Sequence, residues 1–155
     1  MEYYHISAED LGRDARVPLV CAGDSAEVFF DLALEMVSTI REHNARGEKT
    51  VFICPVGPVG HYPYFVEMVN DQRISLKDCW FINMDEYLDD NDEWISADDP
   101  LSFRGFMARS VYDRIDPKLV MPECQRIFPD PHDPGRVGRV IDELGGVDIA
   151  FGGIG

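Results

Sequence analysis

No stretch of this 155-residue chain approaches the roughly 20 consecutive apolar residues that a membrane-spanning helix needs. Its opening, Met1-Glu2-Tyr3-Tyr4-His5, lacks the basic-then-apolar order of a secretion signal, so the expectation is a cytoplasmic protein with no membrane partner. Basic residues are scarce: 14 Lys and Arg stand against 29 Asp and Glu, for a formal net charge of -15. Binding to a nucleic-acid backbone rests on clustered Lys and Arg, so this balance argues against nucleic acid as a partner. It does not exclude a small anion, because screening at physiological salt acts over roughly 8 Å and a local nest of backbone N–H groups can hold a phosphate. Cysteine is sparse too. Cys21, Cys54, Cys79 and Cys124 form no Cys-x-x-Cys pair and have no nearby His at zinc-finger spacing, so they read as reduced, mostly buried thiols, with no metal and no cofactor expected. Neither Gly-x-Gly-x-x-Gly nor a Walker sequence occurs.

What is present fits one soluble domain with a sizeable core: 45% of residues are hydrophobic and 28% charged. The organising stretch is Cys79-Trp80-Phe81-Ile82-Asn83-Met84-Asp85-Glu86-Tyr87, an apolar run that ends in two carboxylates. A run without alternation, rich in aromatic and β-branched residues, suits a strand buried on both faces of a parallel sheet. Asp85 and Glu86 then stand at its carboxyl end, the edge at which open α/β sheets bind ligands. Two readings follow. Either carboxylate is a candidate for acid/base chemistry; equally, an acidic pair there can form a turn or cap the next helix.

Upstream, Val17-Pro18-Leu19-Val20-Cys21 suits an edge strand at most. Asp24 or Ser25 can cap a helix carrying Val28, Phe29, Leu32, Ala33, Met36, Val37 and Ile40 on one face, with its stop near Asn44 and Gly47. Thr50 to Cys54 is a buried strand. It runs into Pro55-Val56-Gly57-Pro58-Val59-Gly60-His61-Tyr62-Pro63 and then a helix with Tyr64, Phe65, Met68 and Val69 inward. Strand, glycine-bearing loop and helix start can aim free backbone N–H groups at an anion, although Pro58 and Pro63 each delete a donor. The acidic loop from Leu88 to Pro100 fails the calcium pattern, because Trp94 occupies a ligand position, and Trp94 and Ile95 there read as a lid or a contact with another subunit. A helix from Ser102, a short strand over Gln125–Phe128, a last helix with Asp133 and Pro134 at its start and Leu144 at its end, and a strand over Val147–Phe151 complete the pattern. His132 reads as an exposed loop residue. The chain closes on Gly152-Gly153-Ile154-Gly155, a turn that brings backbone close to a neighbour or starts a further element.

Taken together, Phe81-Ile82-Asn83-Met84-Asp85-Glu86-Tyr87, Ser102-Phe103-x-x-Phe106-Met107, Glu123-Cys124-Gln125-Arg126 and Asp148-Ile149-Ala150-Phe151-Gly152-Gly153-Ile154-Gly155 resemble the amino-terminal half or more of glucosamine-6-phosphate deaminases, also called isomerases. The related 6-phosphogluconolactonases usually carry a different residue after the Asp-Glu pair. The resemblance implies a Rossmann-like three-layer α/β/α fold with a mainly parallel sheet, incomplete at the carboxyl end. Residues 1 to 155 would then be a single α/β domain that is the amino-terminal portion of a larger sugar-phosphate isomerase domain. It also implies a reaction on an amino-sugar phosphate that opens the ring, converts aldose to ketose and releases ammonia. In that scheme Asp85 is the general base, partly buried so that its pKa rises, and Glu86 supports it. Gly57, Gly60 and His61 would line the phosphate side, with the backbone of Gly152 and Gly153 against the sugar. The family is usually homo-oligomeric.

Two departures accompany the resemblance. The family's phosphate loop usually reads Leu-Pro-Thr-Gly-Ser-Thr-Pro, and its hydroxyl donors are missing here, which leaves His61 or Tyr62 to serve a differently charged ligand. The family's Asp-Gly-His segment would follow the last glycine, so the 155-residue chain alone is expected to be inactive. The alternatives are a non-catalytic sugar-phosphate-binding or regulatory protein on the same scaffold, or a 6-phosphogluconolactonase-like hydrolase.

Overall fold

A computed structural model describes residues 5–7, 10, 12–13 and 16–153. Ile154 and Gly155, the end of the glycine turn, lie outside the described residues. Among the described residues, four α-helices and four strands are formed: α1 (Ser25–Arg46), β1 (Thr50–Cys54), α2 (Tyr62–Asp71), β2 (Cys79–Asn83), α3 (Phe103–Ser110), β3 (Arg126–Ile127), α4 (Arg136–Leu144) and β4 (Ile149–Ala150). All strand pairs are parallel, in the order β3-β2-β1-β4.

Alternation along the strands assigns the layers. Phe52 and Cys54 of β1, with Cys79 and Phe81 of β2, face the main core, where Met36 and Ile40 of α1, Phe65 and Val69 of α2 and Met107 of α3 meet them. Val51, Ile82 and Ile127 face the other way, against Val137, Val140, Ile141 and Leu144 of α4. Those four recur at helical spacing, so α4 has one apolar stripe, and it buries that stripe only in part. Helices therefore cover both faces of a parallel sheet, as expected.

Local signals explain most boundaries. Asp24 caps α1 by accepting from the Glu27 N–H, and Gly47 ends it at φ 69°, a left-handed conformation that favours glycine. Ser102 caps α3 through the Gly105 N–H.

Some expectations are corrected. Residues 17–21 form no strand: Val17 and Val20 are exposed, and the Pro18 nitrogen has no hydrogen for a ladder. Val28 is exposed as well, because α1 turns its buried stripe inward only from Leu32 and Ala33 onward. In α2 the buried set is Tyr62, Phe65, Val66 and Val69, at i, i+3, i+4 and i+7, whereas Tyr64 and Met68 pack only at the margin. α4 begins at Arg136 behind Gly135, two residues later than Pro134 indicated, since Asp133 and Asp130 first form an isolated antiparallel bridge. Of the thiols, Cys54 and Cys79 are buried on the sheet, while Cys21 and Cys124 lie in exposed segments outside it.

Candidate functional site

β1 stands between β2 and β4. The chain builds outward from β1 through β2 to β3, then returns to place β4 on the other side. Such a reversal opens a crevice at the carboxyl ends of the strands, where ligands bind in open α/β sheets. Cys54 is level with Asn83, and Ile53 with Ala150, so the segments after β1, β2 and β4 leave the sheet side by side.

The segment after β1 is tied back by the Tyr62 hydroxyl, which donates to the Pro55 carbonyl at 2.6 Å. Gly57 sits at φ 141°, a conformation open essentially to glycine alone. The backbone N–H groups of Gly57, Val59, Gly60 and His61 donate to no group among the described residues. Gly60 answers to packing: a methyl built there would fall on the Phe29 ring of α1. His61 is 1% exposed and neither ring nitrogen has a partner. Burial lowers its pKa to about 4, which keeps the imidazole neutral against Tyr62 and Phe151. It is therefore held inside the protein, with its ring turned away from solvent.

Gly153 comes against this loop from β4. A Cβ there would lie 3.2 Å from Pro58 Cδ and 3.7 Å from the Gly57 carbonyl oxygen, whereas one at Gly152 would meet nothing within 4 Å. Gly57 and Gly153 thus form a wall of bare backbone at the reversal point, with the backbone of Gly152 open beside it.

The two carboxylates after β2 separate. Asp85 is exposed and makes no hydrogen bond or ion pair among the described residues. The partial burial expected of it is not found, because Met84 and Tyr87 on either side of the pair are themselves exposed and nothing closes over it. The Glu86 side chain is only 1% exposed. It accepts from the N–H groups of Phe103 at 2.9 Å and Arg104 at 2.8 Å, from the Ser102 hydroxyl at 3.0 Å and from Arg104 Nε at 3.2 Å. Burial pushes its pKa up, but the Arg104, Phe103 and Tyr87 amides and the Ser102 hydroxyl outweigh that and hold it below the usual carboxylate range. Here the capping alternative applies. Glu86 anchors the amino end of α3, where free N–H groups and the helix dipole favour an anion.

The segment between Asp85 and α3 is fastened to the chain's own body. Trp94 Nε1 donates to the Pro129 carbonyl at 2.8 Å, the Arg104 guanidinium lies 4.4 Å from the Trp94 ring centre, and exposed Glu93 meets His132 at 2.9 Å. No local pattern signals these pairings, which join residues 10 to 39 positions apart; only the Ser102 cap had a local signature. No group of three side chains suited to a metal occurs among the described residues, and none of their helices is long and apolar enough to cross a membrane.

Comparison with known proteins bears on this crevice. No protein-family model matches the chain. The glucosamine-6-phosphate deaminase of Caenorhabditis elegans is 30% identical over 124 residues, which is 77% of this chain and 45% of that protein. The enzyme of the same name from Vibrio cholerae is 28% identical over 144 residues, 90% of this chain and 51% of the relative. That from Phocaeicola vulgatus is 28% identical over 125 residues, 77% and 46% of the two chains. The chain belongs to the glucosamine-6-phosphate deaminase family. It spans about half the length of these curated relatives. A solved structure, described as a monomeric glucosamine-6-phosphate deaminase of the NagB superfamily, shares the fold at a TM-score of 0.68 and 22% identity, over 83% of this chain and 52% of that one. Because that neighbour is described as monomeric, it lends no support to the expected homo-oligomer.

Proposed function

We propose that this family member acts on an amino-sugar phosphate, isomerising aldose to ketose with release of ammonia, and that Asp85 is the general base. The observation that carries the reading is the contrast between the two carboxylates: Glu86 is locked into the helix end, while Asp85, one residue earlier, bonds to no described residue in the segment that leaves β2, the strand paired with β1. A single carboxylate on one face of an enediol can take a proton from C2 and return it to C1. Glu86 acts as a positioning residue, fixing where the strand hands over to the loop. The unspent amides of Gly57, Val59, Gly60 and His61 supply donors for an oxyanion where the family has hydroxyl side chains. On the same reading, residues 1 to 155 are the amino-terminal portion of a larger isomerase domain, which the share of the relatives' length supports.

The test is Asp85→Asn in the protein as its cell makes it. Turnover of glucosamine 6-phosphate should fall by about 10² to 10⁴, the usual worth of a positioned acid or base. The melting temperature should stay put, since the carboxylate bonds to no described residue. A wild-type rate from this variant would sink the assignment. One observation favours a second reading, sugar-phosphate binding without catalysis: Val56, Pro58 and Val59 offer no side-chain donor in the phosphate loop. Saturable binding of glucosamine 6-phosphate with no conversion by the intact protein would establish it instead.

A further inference from the structure

A second concave site lies beside the Trp94 segment, where Trp94, Arg104, Tyr112, Glu123, Arg126 and Arg136 line a cavity of about 280 Å³. Three arginines in one cavity are unexpected in a chain of net charge -15. Arg104 is committed, with Nε on Glu86 and Nη2 donating to the Ile95 carbonyl at 2.6 Å. The other two are not neutralised: neither Arg126 nor Arg136 has a carboxylate within ion-pair distance among the described residues. Arg126 Nη2 donates to the Met121 carbonyl at 2.8 Å and its guanidinium stacks 4.4 Å from the Tyr112 ring centre, yet its Nε is buried without a partner. Tyr112 is 5% exposed, and its hydroxyl lies on the side of Asn83 and Cys54. Buried polar atoms are nearly always satisfied, so an orphan guanidinium N–H on a cationic cavity calls for a ligand.

We propose that this cavity binds the oxyanion group, phosphate or carboxylate, of a small metabolite. Arg126 and Arg136 are the cationic contacts, since a guanidinium presents a fork of donors matched to such a group. The Tyr112 ring backs the Arg126 guanidinium. Glu123 makes the site selective, because a bare anion meets its charge, whereas a molecule that also carries a hydroxyl or amine gives its carboxylate a donor to accept. The volume suits a compact molecule rather than a nucleotide.

The test is an amide and indole N–H chemical-shift titration of the full chain with glycerol 3-phosphate and, separately, with malate. Saturable movement of the Trp94 indole signal is expected with at least one of them, and the stronger response identifies the oxyanion as phosphate or carboxylate. Arg136→Gln removes a side chain that bonds to no described residue, and it should weaken that response about tenfold or more. Trp94 unmoved by both probes, shifts confined to the Gly57–His61 amides, or an unchanged affinity in Arg136→Gln would each overturn the proposal.

Discussion

His61 makes stability depend on pH in a way that can be calculated and refuted. Its imidazole is buried, with a pKa lowered to about 4 by loss of water, whereas in the unfolded chain it returns to about 6.5. A histidine with a depressed folded pKa is neutral in the native state and charges more readily once unfolded, so protons favour unfolding as pH falls from 6.5 towards 4. Between pH 7.5 and pH 5 the unfolded state gains about 2 kcal/mol from this one group, worth roughly 4 to 8 °C in melting temperature for a chain of this size. In His61→Leu that component disappears, while carboxylates elsewhere titrate as before and cancel in the comparison. Both orphan nitrogens also vanish, which offsets the lost ring contacts with Tyr62 and Phe151, so the variant should be at least as stable as the parent at pH 7.5. Urea denaturation of both proteins at the two pH values measures the difference. Equal losses on acidification would refute the reasoning, and so would a variant that is severely unstable at neutral pH.

Glu86→Ala should cost about 3 kcal/mol in urea denaturation, because it strips a buried carboxylate from Ser102, Phe103 and Arg104 together. Glu86→Gln should cost less. Since the folded pKa of Glu86 is depressed, its contribution is present above the usual carboxylate range and lost as pH falls below it. Gly60→Ala should cost about 1 to 3 kcal/mol by overpacking against Phe29, and Phe29→Leu should recover part of that loss. Gly105→Ala should be worse, with no such rescue, because its methyl would meet the Ala97 backbone carbonyl, which cannot rotate away as a side chain can. Thermal melts of the three variants give the order directly.

The parts of the fold legible in the sequence were those carried by local chemistry. Asp24 and Gly47 bound α1, and the unbroken apolar runs around Phe52 and Phe81 mark strands buried on both faces. The carboxylates at the end of β2 were legible for the same reason: a strand delivers its last residues to one edge of the sheet. Other residues read less well. Val17 to Cys21 has strand composition but no partner to pair with among the described residues, and composition cannot supply one. Trp94 in an acidic loop reads as a lid or a foreign contact until Pro129 and Arg104 are seen beside it.

Composition and the unbroken apolar runs were enough to mark an acidic α/β protein resembling the deaminase family, with Asp85 and Glu86 just past the end of a central strand. Packing between distant segments separated those two carboxylates, turning Glu86 into an anchor for α3 and leaving Asp85 exposed. It also drew His61 inside and set Arg126 and Arg136 around one cavity. Periodicity and capping are properties of neighbours along the chain. Which carboxylate meets a helix end 16 residues away, and which arginine is left without a counter-charge, depend on three-dimensional proximity, which no local pattern records.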